Sequence, residues 1–247
     1  MLNNIDTNIS QYAIIFVILS YINHKSYDIV ENLLIKKSNK YNTLSENRKL
    51  YVQKNFVKSG FIFIFSIYAT YALYLPIVYN KWDNFTLHIL GLFYSINDIV
   101  SLIKVKKLPF TTKLHHIAVT ILSLQNIFND YSKFTFWRAL IVYTLLSAYS
   151  FSVNMYLAYR IISPEKDKLR NYMCLCAFWT YILCFTFNWI YQLYIASIMF
   201  ITNQITYVYC LYFLLTLVLC YDDLILINFL YKSVYIEDIN KNRLKNN

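Results

Sequence analysis

The chain has 247 residues, of which 58% are hydrophobic and 15% are charged, whereas an ordinary soluble domain has about 45–50% and about 25%. This composition argues against a single soluble domain. Only two glycines are present, Gly60 and Gly91, so the chain can build neither a glycine-rich phosphate loop nor a GxxxG helix pair. The net charge of +10 indicates a nucleic acid, an anionic lipid surface or membrane topology, and the positions of the charges must decide among them.

Seven stretches are long enough and poor enough in charge to cross a bilayer, which takes about 20 residues. We therefore predict an all-α, multi-pass integral membrane bundle of about seven transmembrane helices. The predicted spans are residues 7–22, 59–80, 84–103, 109–129, 139–159 and two spans within 171–221 that turn near residues 202–204. The last helix either ends at Tyr221 or continues through Asp222 and Asp223 to Tyr231.

The five cysteines all lie in one long apolar stretch, residues 174–220, and form no CxxC pair. An odd number of cysteines without metal-ligand spacing disfavours both a disulfide framework and a zinc site. We interpret these cysteines as small apolar packing residues.

The basic residues alternate between sides of the predicted bundle. Twenty of the 23 lie in residues 24–58, 104–113, 160–170 and 231–247, and only Lys81, Lys133 and Arg138 fall on the other side. The positive-inside rule then places the N-terminus in the lumen and the C-terminus in the cytosol. The sequons at Asn8 and Asn84 fall on the predicted lumenal side.

The basic segment 24–58 either reports orientation alone or lies on anionic headgroups. No groove of alternating aromatic and basic residues is recognisable, which disfavours a nucleic-acid partner.

Few ionisable side chains lie inside the predicted spans, where each costs about 2.5–3.5 kcal/mol and usually marks a functional site. Asp98 lies six residues before Lys104, and His115 and His116 lie six and seven residues after Pro109. At 1.5 Å per residue, these groups share a depth of roughly 9–11 Å from the cytosolic end of their helices. Asn154, six residues before Arg160, lies at a similar depth.

Polar residues also form three stripes at helical spacing, which we expect to face the bundle interior. The stripes are Tyr143, Ser147, Ser150 and Asn154; His116, Thr120 and Ser123; and Tyr94, Asp98 and Ser101. For the serines and threonines, interhelical hydrogen bonding is the favoured interpretation. For the histidine pair beside a carboxylate we favour a site, with histidine as general base or nucleophile. A His-His-Asp metal site is the competing interpretation.

Three stretches resemble the TLC-domain family, which includes ceramide synthases and several non-synthase proteins of lipid homeostasis. They read FYSINDIV, KKLPFTTKLHHIAVTIL and YTLLSAYSFSVNMYLAYR. In the family, an aspartate precedes a His-His pair and an Asn-centred motif follows, and Asp98, His115, His116 and Asn154 fall on these positions. The resemblance covers residues 44–232 and implies a six-helix core, here preceded by one extra helix. It divides the chain into residues 1–43, with the first helix and part of the basic loop, residues 44–232, the TLC-like transmembrane domain, and residues 233–247, a polar cytosolic tail.

The resemblance implies a role in lipid metabolism, in the endoplasmic reticulum or another internal membrane, with membrane lipids as partners. His115, His116 and Asp98 would be catalytic in acyl transfer from acyl-CoA to a sphingoid-like amine, without a metal or resident cofactor. Asn154, Ser150, Ser147 and Tyr94 would contact the substrate. Ser147 stands where many members carry an acidic residue, which favours the alternative of a non-catalytic lipid-binding or regulatory protein.

Two other classes fit the sequence less well. Fatty-acid elongases need a histidine three residues before the His-His pair, where this chain has Thr112. A seven-span receptor or channel would expose more polar residues along its spans.

Overall fold

The computed structural model describes the backbone of residues 2–245 and the side chains of residues 9–235. Within this part of the chain the fold is all helical, with no strand. The helices are α1 (Leu2–Lys37), α2 (Asn39–Asn42), α3 (Glu46–Tyr79), α4 (Asn84–Lys104), α5 (Phe110–Asn126), α6 (Trp137–Ser147), α7 (Phe151–Ile162), α8 (Lys168–Ile201) and α9 (Tyr207–Lys245).

Side-chain caps and one left-handed residue set several helix ends. Asp83 precedes α4 and accepts a hydrogen bond from the Thr86 amide, and Asp167 does the same for α8 through the Leu169 amide. These carboxylates satisfy amides that have no partner inside the helix. At the other end of α3, Asn80 adopts a φ of 50°, a conformation that ends helices and that asparagine tolerates.

Five described helical segments are long and apolar enough to cross a membrane, so the chain has the features of an α-helical membrane protein. They are Glu46–Tyr79, Asn84–Lys104, Trp137–Ile162, Lys168–Ile201 and Tyr207–Tyr235. Only 22% of the most apolar stretch of α8, and the same share for α9, is buried inside the bundle. Such outward apolar faces suit lipid, whereas in water they would be large aggregation-prone patches.

The other two predicted spans correspond to α1 and to α5, which has 17 residues. Helix α1 packs against α3 and α4, and α5 packs between α4 and α9. The predicted turn near residues 202–204 is confirmed, since α8 ends at Ile201 and Asn203 has a φ of 53°.

One expectation about a loop is wrong. The segment 24–58 is mostly helical, because α1 continues to Lys37 and α3 already begins at Glu46. Of the two alternatives left open for the last helix, the structure has the longer one, and the backbone of α9 continues through both aspartates and through the predicted tail, residues 233–247, as far as Lys245. Apolar residues follow the aspartates, so the helical pattern persists beyond them. The side chains of that tail from residue 236 onward, like that of Asn8, lie outside the described residues.

Helix packing creates the space for a site. Helix α3 lies against α4 and α7, α5 lies against α4 and α9, and α8 lies against α6, α7 and α9. A large apolar cluster, including Phe65, Leu122 and Ile141, fills the bundle between α3, α5 and α6. A separate, smaller cluster around Tyr156 and Leu230 joins α7, α8 and α9. Between these clusters, polar side chains from seven helices, α3 to α9, surround a cavity.

Candidate functional site

The candidate site is a cavity of about 400 Å³ bounded by residues of α3, α4, α5, α6–α7, α8 and α9. Six of the seven predicted site residues line it, namely Tyr94, His115, His116, Ser147, Ser150 and Asn154. The seventh, Asp98, is fully buried behind the wall, with 0% exposure. The structure therefore brings the predicted set together around one space.

His116 contacts the Asp98 carboxylate at the centre of the site. Its Nδ1 lies 2.8 Å from Asp98 Oδ1, and the imidazole is only 2% exposed. The ring does not point its N–H along a well-directed hydrogen bond, and Nε2 also has no hydrogen-bond partner among the described residues. Catalytic hydrogen bonds are often loosely aligned until a substrate binds. The pair therefore resembles a histidine base with an orienting carboxylate.

Lys58 completes this group. Its Nζ lies 2.5 Å from the same oxygen of Asp98, and the lysine side chain is 11% exposed. The sequence pattern predicts that Lys58 lies in a basic loop. Instead, α3 begins twelve residues earlier, at Glu46, so Lys58 is part of this helix and lies inside the bundle. The ammonium stabilises the ionised carboxylate and, through it, fixes the position of the imidazole.

His115 has its own carboxylate. Its Nδ1 lies 3.1 Å from Asp222 Oδ2, again without well-directed hydrogen-bond geometry. The His115 and His116 rings stand nearly perpendicular, at 87°. Two neighbouring histidines thus face different carboxylates, and α9 supplies one of them. Asp222 was noticed in the sequence only as a charge within the last span.

Asp223 is the second acidic residue that α9 brings to the cavity. It is 6% exposed and accepts hydrogen bonds from Tyr181 (2.5 Å) and Tyr143 (3.3 Å). Tyr143 belongs to the polar stripe expected on the fifth span, and that stripe does face the cavity despite a 3₁₀ turn at Ala148–Ser150. Tyr181 had no distinguishing sequence signal among 25 tyrosines.

The other predicted polar residues divide into cavity and packing groups. The Asn154 amide donates one hydrogen bond to the Ser150 carbonyl at 3.1 Å, and its second N–H forms no hydrogen bond with the described residues. The hydroxyls of Thr120, Ser123 and Ser101 donate to carbonyls of their own helices and do not line the cavity. The expected interhelical hydrogen bond is found only at Ser101, whose Oγ lies 3.4 Å from the Tyr27 hydroxyl oxygen. For Thr120 and Ser123 the expectation is wrong, because their hydroxyls bond within α5.

Two further basic side chains line the cavity without an expected role. Lys54, one turn before Lys58, is only 5% exposed, and Arg160 stacks over the Phe229 ring at 4.5 Å. Both were interpreted as topology charges. Their presence in the wall shows that the cavity has a basic side as well as an acidic one.

Asp98, His115 and His116 also form a candidate metal site. One ligand atom each from Asp98, His115 and His116 lies within 4.8 Å of the others, and two imidazoles with a carboxylate are suitable donors for a transition metal. However, Lys58 contacts Asp98 Oδ1 and His115 is directed to Asp222, whereas Asp98 Oδ2 has no hydrogen-bond partner among the described residues. The Lys58 ammonium would repel a dication bound at this carboxylate, so the residues present fit an ion-paired base better.

Comparison of the chain with protein-family models, curated proteins and solved structures finds no match. The resemblance to the TLC-domain family accordingly stays a prediction from the residues quoted above.

Proposed function

We propose that the chain is a multi-pass membrane protein of the TLC-domain type that transfers an acyl group from acyl-CoA to a lipid amine. One observation carries this proposal: His116 lines a cavity, its Nδ1 lies 2.8 Å from Asp98 Oδ1, and its Nε2 is buried without a hydrogen-bond partner among the described residues. A carboxylate-oriented histidine is the usual arrangement of a general base.

The chemistry needs only one proton carrier. The amine nitrogen forms a bond to the thioester carbon, and its proton passes to His116 Nε2. The carbon–sulfur bond then breaks, and the leaving thiolate takes this proton. Asp98 stabilises the transient imidazolium, and the free N–H of Asn154 is available to the developing oxyanion. Lys58 keeps Asp98 ionised throughout the cycle.

The membrane arrangement that goes with this function has seven spans, with α1 and α5 added to the five apolar helical segments. Helix α5 carries both histidines, and its burial between α4 and α9 supports this placement. The excess of basic residues on one side supports a lumenal N-terminus and a cytosolic C-terminus. The donor would then enter from the cytosol, in the endoplasmic reticulum or another internal membrane.

The test is acyl transfer in reconstituted membranes. Purified full-length protein in liposomes receives a long-chain acyl-CoA and a long-chain base, and mass spectrometry measures the N-acyl product. We expect His116→Asn to lower the rate at least about 100-fold, the usual contribution of a general base. His24→Asn is the matched control, because His24 is exposed and outside the cavity. Equal product from wild type and His116→Asn would refute the mechanism.

A non-catalytic lipid-binding protein is the second candidate. Ser147 lines the cavity where many TLC-domain proteins carry an acid, and Lys58 together with His116 already saturates one oxygen of Asp98. Such a buried group also serves to lock α3, α4 and α5 together. This candidate predicts lipid binding to wild type and no product in the same liposomes, whereas measurable turnover excludes it.

A further inference from the structure

The Asp223 carboxylate differs from Asp98 and Asp222 because, among the described residues, neither a lysine nor a histidine lies within ion-pair distance of it. Lys58 pairs with Asp98, and His115 faces Asp222. Among the side chains of residues 9–235, Asp223 contacts only neutral phenol donors, from Tyr143 and Tyr181, and forms no salt bridge. It is nevertheless 6% exposed and lines the cavity.

A buried anion without a counter-ion is costly, above all inside a membrane bundle. Two phenol hydrogen bonds offset part of this cost and also fix both carboxylate oxygens in place. Each of these oxygens retains a lone pair for another donor. The position therefore favours a ligand that brings a positive charge and N–H donors of its own.

The surroundings of Asp223 narrow the chemistry of this ligand. A third phenol, Tyr94, also lines the cavity, and aromatic side chains suit an ammonium group. Apolar side chains form much of the remaining wall, including Leu146, Val153 and Leu226. A ligand with a primary amine at one end and an alkyl chain at the other matches the Asp223 carboxylate, its phenol neighbours and these apolar side chains.

We infer that Asp223, held by Tyr143 and Tyr181, is the subsite that binds the amino group of a long-chain primary amine. The inference rests on the proposed function for the view that this amine is the acyl acceptor. In that role the bound ammonium first passes one proton to the Asp223 carboxylate, the neutral amine then attacks the thioester, and Asp223 releases its proton to water after the product leaves. The binding itself is independent of catalysis. Asp223 is thus a specificity residue, distinct from the His116 base and its Asp98 partner.

Binding is measured on purified full-length protein in neutral detergent micelles. The probe is hexadecylamine, titrated as a mole fraction of the micelle, and the readout is the thermal unfolding midpoint. Hexadecanol and N-acetylhexadecylamine have the same chain without the charge. We expect wild type to half-saturate with the amine at a mole fraction at least about tenfold lower than with either neutral probe. A tenfold difference is what one charge-assisted hydrogen bond contributes to affinity.

Asp223→Asn removes the charge while keeping an oxygen for one tyrosine donor, and we expect it to abolish the preference for the amine. Asp28→Asn is the matched control, since it removes an exposed carboxylate outside the cavity and so reproduces the change in net charge. Equal half-saturation by amine and neutral probes in wild type overturns the inference, and this comparison requires no variant to fold. An unchanged preference in Asp223→Asn overturns it as well.

His116→Asn separates this inference from the proposed function. We expect it to keep the preference for the amine while losing acyl transfer. Selective amine binding by wild type without any turnover supports the subsite and refutes the transferase. Turnover by wild type with no amine preference refutes the subsite and leaves the transferase standing.

Discussion

Replacing Asp98 by asparagine is expected to destabilise the bundle strongly, because it leaves the Lys58 ammonium without its partner. The lysine side chain is 11% exposed and the aspartate 0%, and their charged atoms lie 2.5 Å apart. Removing one partner of such a buried pair costs about 3–5 kcal/mol. We expect a loss near the lower end of this range, because Lys58 can extend its chain toward the nearby polar surface.

Removing both charges should be far less harmful. In Lys58→Met with Asp98→Asn no uncompensated charge remains, and buried ion pairs replaced by neutral side chains of similar size often leave stability nearly unchanged. The double-mutant cycle should therefore give a coupling free energy of at least about 2 kcal/mol. Equilibrium unfolding in mixed micelles, followed by far-UV circular dichroism, measures all four proteins.

The control for this cycle is a pair at the surface. Lys104 and Asp28 lie 3.6 Å apart, with the aspartate side chain 53% exposed, so their coupling should stay below about 1 kcal/mol. Coupling between Lys58 and Asp98 no larger than this value would refute the argument that the pair is buried and mutually dependent.

Two further predictions concern the opposite end of the bundle. A Cβ at Gly91 would lie 2.8 Å from Asn126 Cγ, so Gly91→Ala should destabilise the protein by about 1–3 kcal/mol in the same unfolding assay. A Cβ at Gly60 would have nothing within 4 Å, so Gly60→Ala should be neutral or stabilising. Equal effects of the two substitutions would contradict the close packing at Gly91. Hydrogen bonds to the Asp130 carboxylate, of which the one from Ser132 has the largest effect, hold the pKa of Asp130 below its ordinary value. The stabilisation that these hydrogen bonds give the loop is therefore complete above about pH 4 and is lost as the pH falls further. Pepsin cleavage within residues 127–136 should then rise with acidification relative to Asp130→Asn, and a constant ratio would contradict it.

The helical membrane fold was predictable because the apolar pattern is strong and nearly uninterrupted. Five apolar helical segments coincide with predicted spans, and the turn after Ile201 lies where the charge-free stretch is too long for one crossing. The helix ends were less predictable. Basic residues mark the membrane boundary in the sequence, but α3 continues through several of them, since lysine and arginine are good helix formers.

The contact between Asp98 and His116 was anticipated by depth alone. Helix α4 ends at Lys104 and α5 begins at Phe110, so a short connection brings the two helix ends to the same level. Equal distances from these ends then imply equal depth, and the helices pack directly against each other. Depth does not specify which way a side chain points, so the separate partners of the two histidines could not be predicted.

The partners from α3 and α9 could not be found by depth because depth is counted from a helix end. The start of α3 was predicted after Lys58, a charge that lies inside the helix, and the end of α9 was left open between Tyr221 and Tyr231. Once α3 begins at Glu46, Lys54 and Lys58 are one turn apart on a single helical face, and that face meets α4. Once α9 passes Tyr221, Asp222 and Asp223 stand about 100° apart around its axis, so one reaches His115 and the other reaches the two phenols. A charged residue at the edge of an apolar stretch either ends the membrane span or lies inside the helix and faces the bundle interior. When apolar residues continue beyond the charge, as they do after Asp223, the second case is expected.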